Sequence, residues 1–165
     1  MPKRQVFFSF EYYKDNWRAA QIRNMGKVSN DSTFSDNDWE SVKKESDLAI
    51  KRWINAEMAK RSCIVVLIGT TTSTRKWVKY EIEKAYELGK GIVGIYVHGL
   101  KDALGNQSSK GANPFYNVIT KDGHRLSNYV TDYDTGYVTS KYVYSDIEEH
   151  LPDLIEEAIA NAGKY

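Results

Sequence analysis

Six consecutive apolar residues, Cys63-Ile64-Val65-Val66-Leu67-Ile68, stop at Gly69 and lead through Thr70-Thr71-Thr72-Ser73-Thr74 into a segment of helical periodicity, 76–88. A run this apolar has no polar face to turn to water, so it fits a central strand covered on both sides. The hydroxyl-rich stretch supplies turn and helix-start chemistry. In an open α/β sheet ligands bind beyond the carboxyl ends of the strands. Glu81, in the helix start Trp77-Val78-Lys79-Tyr80-Glu81, is close to such an end.

The flanking sequence repeats the alternation. A β-prone run over 5–10 precedes a helical segment over about 15–25, which contains Trp17, Ile22 and Met25. Residues 29–38 are polar and read as an exposed loop. Asn37 and Glu40 have capping-box spacing, and the helix behind them places Val42, Ala49, Ile50, Trp53, Ile54 and Met58 on one face. After the Glu81 helix, Gly89-Lys90-Gly91 breaks the pattern and 92–97 forms another apolar strand. This β-α-β-α-β order predicts a parallel sheet with right-handed crossovers. From 98 to 144 glycines and tyrosines dominate, so long loops are expected, with edge strands over 128–133 and 137–144. The segment 145–161 carries Ile147, Leu151, Leu154, Ile155, Ala158 and Ile159 at helical spacing and closes the fold.

A length of 165 residues suits a single domain over 1–165 and is short for two. Lysine and arginine number 23 against 22 acidic residues, so bulk charge attracts neither nucleic acid nor an anionic membrane. The one cysteine, Cys63, has no partner for an internal disulfide and sits in an apolar strand, as a core thiol does. With no apolar span of membrane length and no cleavable leader after Met-Pro-Lys-Arg, a cytoplasmic location is expected.

Several chemistries find no support. Gly89-Lys90-Gly91-Ile92-Val93-Gly94 spells the dinucleotide fingerprint but leads from helix into strand, the reverse of what puts a phosphate on a helix N-terminus. A P-loop and a serine elbow are absent. His98, His124 and His150 stand apart, so no metal site is expected. Tyr129, Tyr133, Tyr137, Tyr142 and Tyr144 admit base stacking or, more simply, cross-strand packing. Glu81 is distinctive among the carboxylates. Its neighbours one turn away are Trp77, Val78, Lys84 and Ala85, whereas Glu83 has Lys79, Tyr80, Tyr86 and Glu87 around it. Spacing alone leaves Glu81 either a desolvated functional group or a salt-bridged surface residue.

At family level, Phe7-Phe8-Ser9-Phe10 resembles the first strand of Toll/interleukin-1 receptor (TIR) domains, and Trp77-x-x-x-Glu81 resembles the W-x-x-x-E of their NAD-cleaving members. The likeness is closest to the TIR-like ThsB family of the bacterial Thoeris anti-phage system. It runs through Trp39-Glu40, Lys43-Lys44, Ser46-Asp47, Val66-Leu67-Ile68-Gly69, Arg75, Tyr80-Glu81-Ile82 and Asn113-Pro114-Phe115. The resemblance implies a flavodoxin-like α/β fold, a parallel sheet flanked by helices with a loop-rich C-terminal part and a closing helix. It also implies an enzyme that consumes NAD as substrate, without a cofactor, and makes a cyclic ADP-ribose isomer as an antiviral second messenger for a separate effector protein. Self-association or a phage-derived trigger belongs to the same expectation. Glu81 would be catalytic, with Ser9, Phe10, Tyr12 and Trp77 at the substrate and the loop 29–38 gating the pocket or contacting a neighbouring subunit. Where some members carry a basic residue after the first strand, this chain has Glu11. The alternative is a non-catalytic TIR-like interaction module in which Trp77 and Glu81 are packing and surface residues.

Overall fold

The computed structural model describes residues 3–34 and 46–165. Strands β1 (Val6–Ser9), β2 (Thr33–Phe34), β3 (Cys63–Ile68) and β4 (Gly91–Tyr96) are linked by helices α1 (Tyr12–Asn24), α2 (Asp47–Ala59) and α3 (Lys76–Glu87), and a long connection with two 3-10 turns leads from β4 to β5 (Thr131–Tyr133) and helix α4 (Ser140–Ala160). The strands form one sheet in the order β2-β1-β3-β4-β5. All four pairings are parallel. The expected central position of Cys63–Ile68 holds, since β3 lies between β1 and β4, and every residue of β3 and β4 is buried.

Alternation along the strands sends side chains into two separate apolar clusters. Phe8, Val65, Leu67, Val93 and Ile95 meet Ala19 and Ile22 of α1 and Ile147 and Leu151 of α4. Phe7, Ile64, Val66, Ile68 and Ile92 meet Ile50, Ile54 and Met58 of α2 and Val78 and Ile82 of α3. The result is helix, sheet, helix in three layers, and each fully buried aliphatic or aromatic side chain contributes about 1.5–3 kcal/mol.

Several boundaries differ from expectation. Helix α1 starts at Tyr12, a turn earlier than residue 15. Part of the supposed loop 29–38 is strand β2: Phe7 pairs with Thr33 and Phe8 with Phe34, and the Phe34 ring stacks on Phe8 at 4.1 Å. Two residues are too few for an alternating pattern, so pairing rather than propensity makes this edge. Helix α2 is capped by Ser46, whose side chain accepts from the Ala49 amide; Asn37, Glu40 and Val42 lie outside the described residues. The strand expected over 137–144 is incorrect, because α4 already begins at Ser140. Val143, Ile147 and Leu151 are buried at a spacing of four, and that helical period wins over the alternation of tyrosines. Within 128–133 only Thr131–Tyr133 is strand.

Candidate active site

The strand order 2-1-3-4-5 is the flavodoxin-like winding, whose switch point lies between β1 and β3. Ser9 ends β1 there, and by alternation from Phe7 its side chain faces the α2/α3 layer. Helix α3 buries Trp77, Val78, Ile82 and Ala85 against the sheet. Glu81 shares their face, which drives a carboxyl group inward until it is only 3 % exposed. Ser9 Oγ donates a hydrogen bond to Glu81 Oε1 at 2.6 Å, across 72 positions of sequence. Burial pushes the Glu81 carboxyl up to about 8, against the opposing pull of the Ser9 hydroxyl. It therefore holds its proton at neutral pH. Glu83, two residues on, is exposed.

The rim beside this pair is closely packed. The Gly69 amide donates to Thr72 Oγ1 at 2.7 Å, and Thr70 Oγ1 donates to the Ser109 carbonyl at 2.5 Å. A Cβ on Gly69 would lie 2.1 Å from Asp15 Oδ2, and one on Gly111 would lie 2.1 Å from the Gly69 carbonyl oxygen, so both positions require glycine. Beneath them Asp15 and Arg18, both buried, pair at 2.8 Å. Arg18 also donates to the carbonyls of Leu100 and Asn106 at 2.8 and 3.0 Å, which ties the loop after β4 to α1. Glu11 is a second carboxylate of this rim. It is 6 % exposed, accepts from Thr71 Oγ1 at 2.5 Å and lies 3.9 Å from Arg75 Nε.

The candidate residues divide between the two faces of the sheet. Ser9 and Glu81 are in contact, and Trp77 lies one helical turn before Glu81 in the α2/α3 cluster. Its indole is 5 % exposed, meets Tyr80 edge-on at 5.7 Å and carries the Lys76 ammonium 4.8 Å from a ring centroid. An indole so enclosed packs as part of the core and presents no open stacking face. Phe10 and Tyr12 pack with the opposite cluster, Phe10 edge-on to Phe34 at 6.5 Å. Glu11 gave the sequence reading no role, although its equal parity with Ser9 would have placed it toward the same layer. Among the described residues, potential metal ligands gather once, at Asp146, Glu149 and His150 on the outer side of α4. Helical spacing explains that cluster, which lies apart from the switch point.

A 2-1-3-4-5 parallel sheet flanked by helices, with a buried serine-carboxylate pair at its switch point, defines a flavodoxin-like α/β protein. Residues 7–102 match the family model described as Thoeris protein ThsB, TIR-like domain. The chain is also 41% identical over 135 residues to a Bacillus cereus (strain MSX-D12) protein named "Putative cyclic ADP-D-ribose synthase ThsB1", a match spanning 76% of this chain and 70% of that one. This chain belongs to the ThsB TIR-like family.

Proposed function

We propose that this protein cleaves the nicotinamide glycosidic bond of NAD and closes the remaining ADP-ribose into a cyclic isomer. The observation that carries the reading is the buried Ser9–Glu81 pair at the switch point, in a chain 41% identical to a relative named for cyclic ADP-ribose synthesis. Breaking the bond between the ribose anomeric carbon and the pyridinium nitrogen sends the bonding pair to nitrogen. Nicotinamide leaves neutral, so no acid is needed to protonate it. Positive charge grows on the ribose, and a carboxylate in a water-poor site stabilises it. The cationic substrate itself favours ionisation of Glu81, while the Ser9 hydroxyl holds the carboxylate and lowers its proton affinity. An adenine nitrogen or ribose hydroxyl of the same molecule then attacks the anomeric carbon, a hydroxyl losing its proton in the step. Water at that position gives linear ADP-ribose instead.

In this reading Ser9 lies nearest the nucleotide and Trp77 backs the glutamate, while Phe10 and Tyr12, packed on the other face of the sheet, border the nucleotide from beyond the end of β1. The product diffuses to a separate effector protein, and activity waits on self-association or a phage-derived trigger. The protein acts in the cytoplasm as one domain, with NAD as substrate and neither metal nor bound cofactor. Among the described residues no helix is long and apolar enough to cross a membrane. The test is mass spectrometry of small molecules after the protein is mixed with NAD, alone and with lysate from phage-infected cells. Nicotinamide with a cyclic ADP-ribose isomer, lost in Glu81→Gln and kept in Glu83→Gln, is the expected result. Equal cyclic product from wild type and Glu81→Gln would overturn the role of Glu81, and NAD left intact by wild type with and without lysate would overturn the activity and favour the interaction module.

A further inference from the structure

Ser9 and Glu11 stand two residues apart at the end of β1, and each reaches a different part of the segment that carries Glu81. Ser9 bonds the glutamate itself at 2.6 Å. Glu11 bonds Thr71 Oγ1 at 2.5 Å and sits 3.9 Å from Arg75 Nε. Thr71 precedes the 3-10 turn Thr72–Thr74, and Arg75 is both the end of that turn and the N-cap residue of α3. Among the described residues, the Arg75 side chain makes no capping hydrogen bond to α3. The start of the helix is therefore held from the flank, by one buried carboxylate, at the point where it leaves the sheet. The Thr71 hydroxyl is fixed further by Lys14 Nζ at 3.1 Å, and the Gly69–Thr72 bond of 2.7 Å closes the turn.

Burying an ionised group costs far more than it returns unless its partners are fixed. Glu11 has no place in the bond-breaking step described above. Its carbonyl accepts the Asp15 amide at 2.9 Å as the N-cap of α1, but among the described residues its side chain reaches to the approach to α3, which decides where Glu81 stands relative to Ser9. From this we infer that Glu11 is a positioning residue: its bond to Thr71 and its pairing with Arg75 clamp the β3–α3 connection so that Glu81 meets Ser9 in hydrogen-bonding register. The inference rests on the reading of Glu81 as the catalytic carboxylate.

The mechanism makes a signature that mere destabilisation would not. Among the described residues, the proton affinity of Glu81 answers to burial and to the Ser9 hydroxyl, with no charged neighbour contributing. Loosening the clamp weakens the Ser9 bond and moves the Glu81 midpoint upward, as deleting Ser9 does. The experiment follows the side-chain carboxyl of Glu81 by NMR in protein labelled with 13C-glutamate, assigned against Glu81→Gln, alongside NAD turnover across pH. Glu11→Ala is expected to raise the midpoint by about one pH unit, the equivalent of one side-chain hydrogen bond, and to lower kcat/KM about tenfold near neutrality with little change in KM. Glu11→Gln keeps an oxygen for Thr71 and restores most of the loss. In Ser9→Ala, where the bond is already gone, adding Glu11→Ala produces no further shift. Thr71→Val removes the donor, leaves Glu11 in place and repeats the Glu11→Ala shift, which serves if Glu11→Ala fails to fold. A Glu81 midpoint unmoved in folded Glu11→Ala or Thr71→Val, or a shift that adds in full to that of Ser9→Ala, overturns the assignment. Wild-type protein that leaves NAD intact with and without phage-infected lysate overturns the proposed activity instead, while the titration still decides the role of Glu11.

Discussion

A carboxyl group that is 3 % exposed and bonded to one hydroxyl is an acid at neutral pH, and its residue-scale behaviour follows from that. With its midpoint pushed up to about 8, the free enzyme's kcat/KM toward NAD rises with pH through that region and levels off above it. Ser9→Ala removes the contact that opposes burial, so the rising limb moves to higher pH by roughly the worth of one hydrogen bond to a charged group, about 1.5–3 kcal/mol or one to two pH units. A pH-rate profile with its limb near 4, or one that Ser9→Ala leaves in place, would show that Glu81 does not govern the reaction. Glu81→Gln keeps the shape and an acceptor for Ser9 but cannot carry negative charge, and its turnover is expected to vanish at every pH.

Helix α3 links the site to the core. Trp77 packs among Ile50, Ile54 and Val78, so Trp77→Ala is expected to cost about 3–5 kcal/mol, read as a fall in the urea midpoint. A variant as stable as wild type would mean that the indole is free to serve ligands. The rim is equally unforgiving: Gly111→Ala drives a methyl group against the Gly69 carbonyl and should lose about 1–3 kcal/mol, with thermal melting as the check. Elements with a sustained period were legible in the sequence. Strand β3, helix α3 and strand β4 emerge within a residue of their expected limits because each carries its own apolar pattern. Strand β2 did not, since two residues hold no period and only the β1 edge makes them a strand. The tyrosines at 137, 142 and 144 gave a false β signal, overridden by Val143 and Ile147 docking on the sheet. Its helix neighbours singled out Glu81 among the carboxylates, but spacing left open whether it was desolvated or a salt-bridged surface residue. Its bond to Ser9 and the Glu11–Thr71 contact were not legible, because they join residues 72 and 60 positions apart.

For the whole molecule, a net charge of +1 leaves little long-range repulsion to drive pH effects, so buried groups dominate the dependence of stability on pH. Glu81 loses its proton near 4.5 in the unfolded chain but only near 8 in the native one. Between those values the native state binds more protons, so stability falls as pH rises, and above 8 the loss is complete. Glu81→Gln has no proton to lose. It should match wild type near pH 4 and gain on it steadily up to pH 8, reaching a few kcal/mol, on the order of 10 °C in Tm. Asp15, whose carboxyl is also raised by burial, is common to both proteins and cancels in the difference. Paired melts at pH 4, 6 and 8 measure the gap directly. A gap that stays constant with pH would mean that Glu81 is already ionised in the native state. A gap that widens as expected would mean that the fold carries a standing cost for this buried acid, of the kind found where a site is built for charge that arrives only with the substrate.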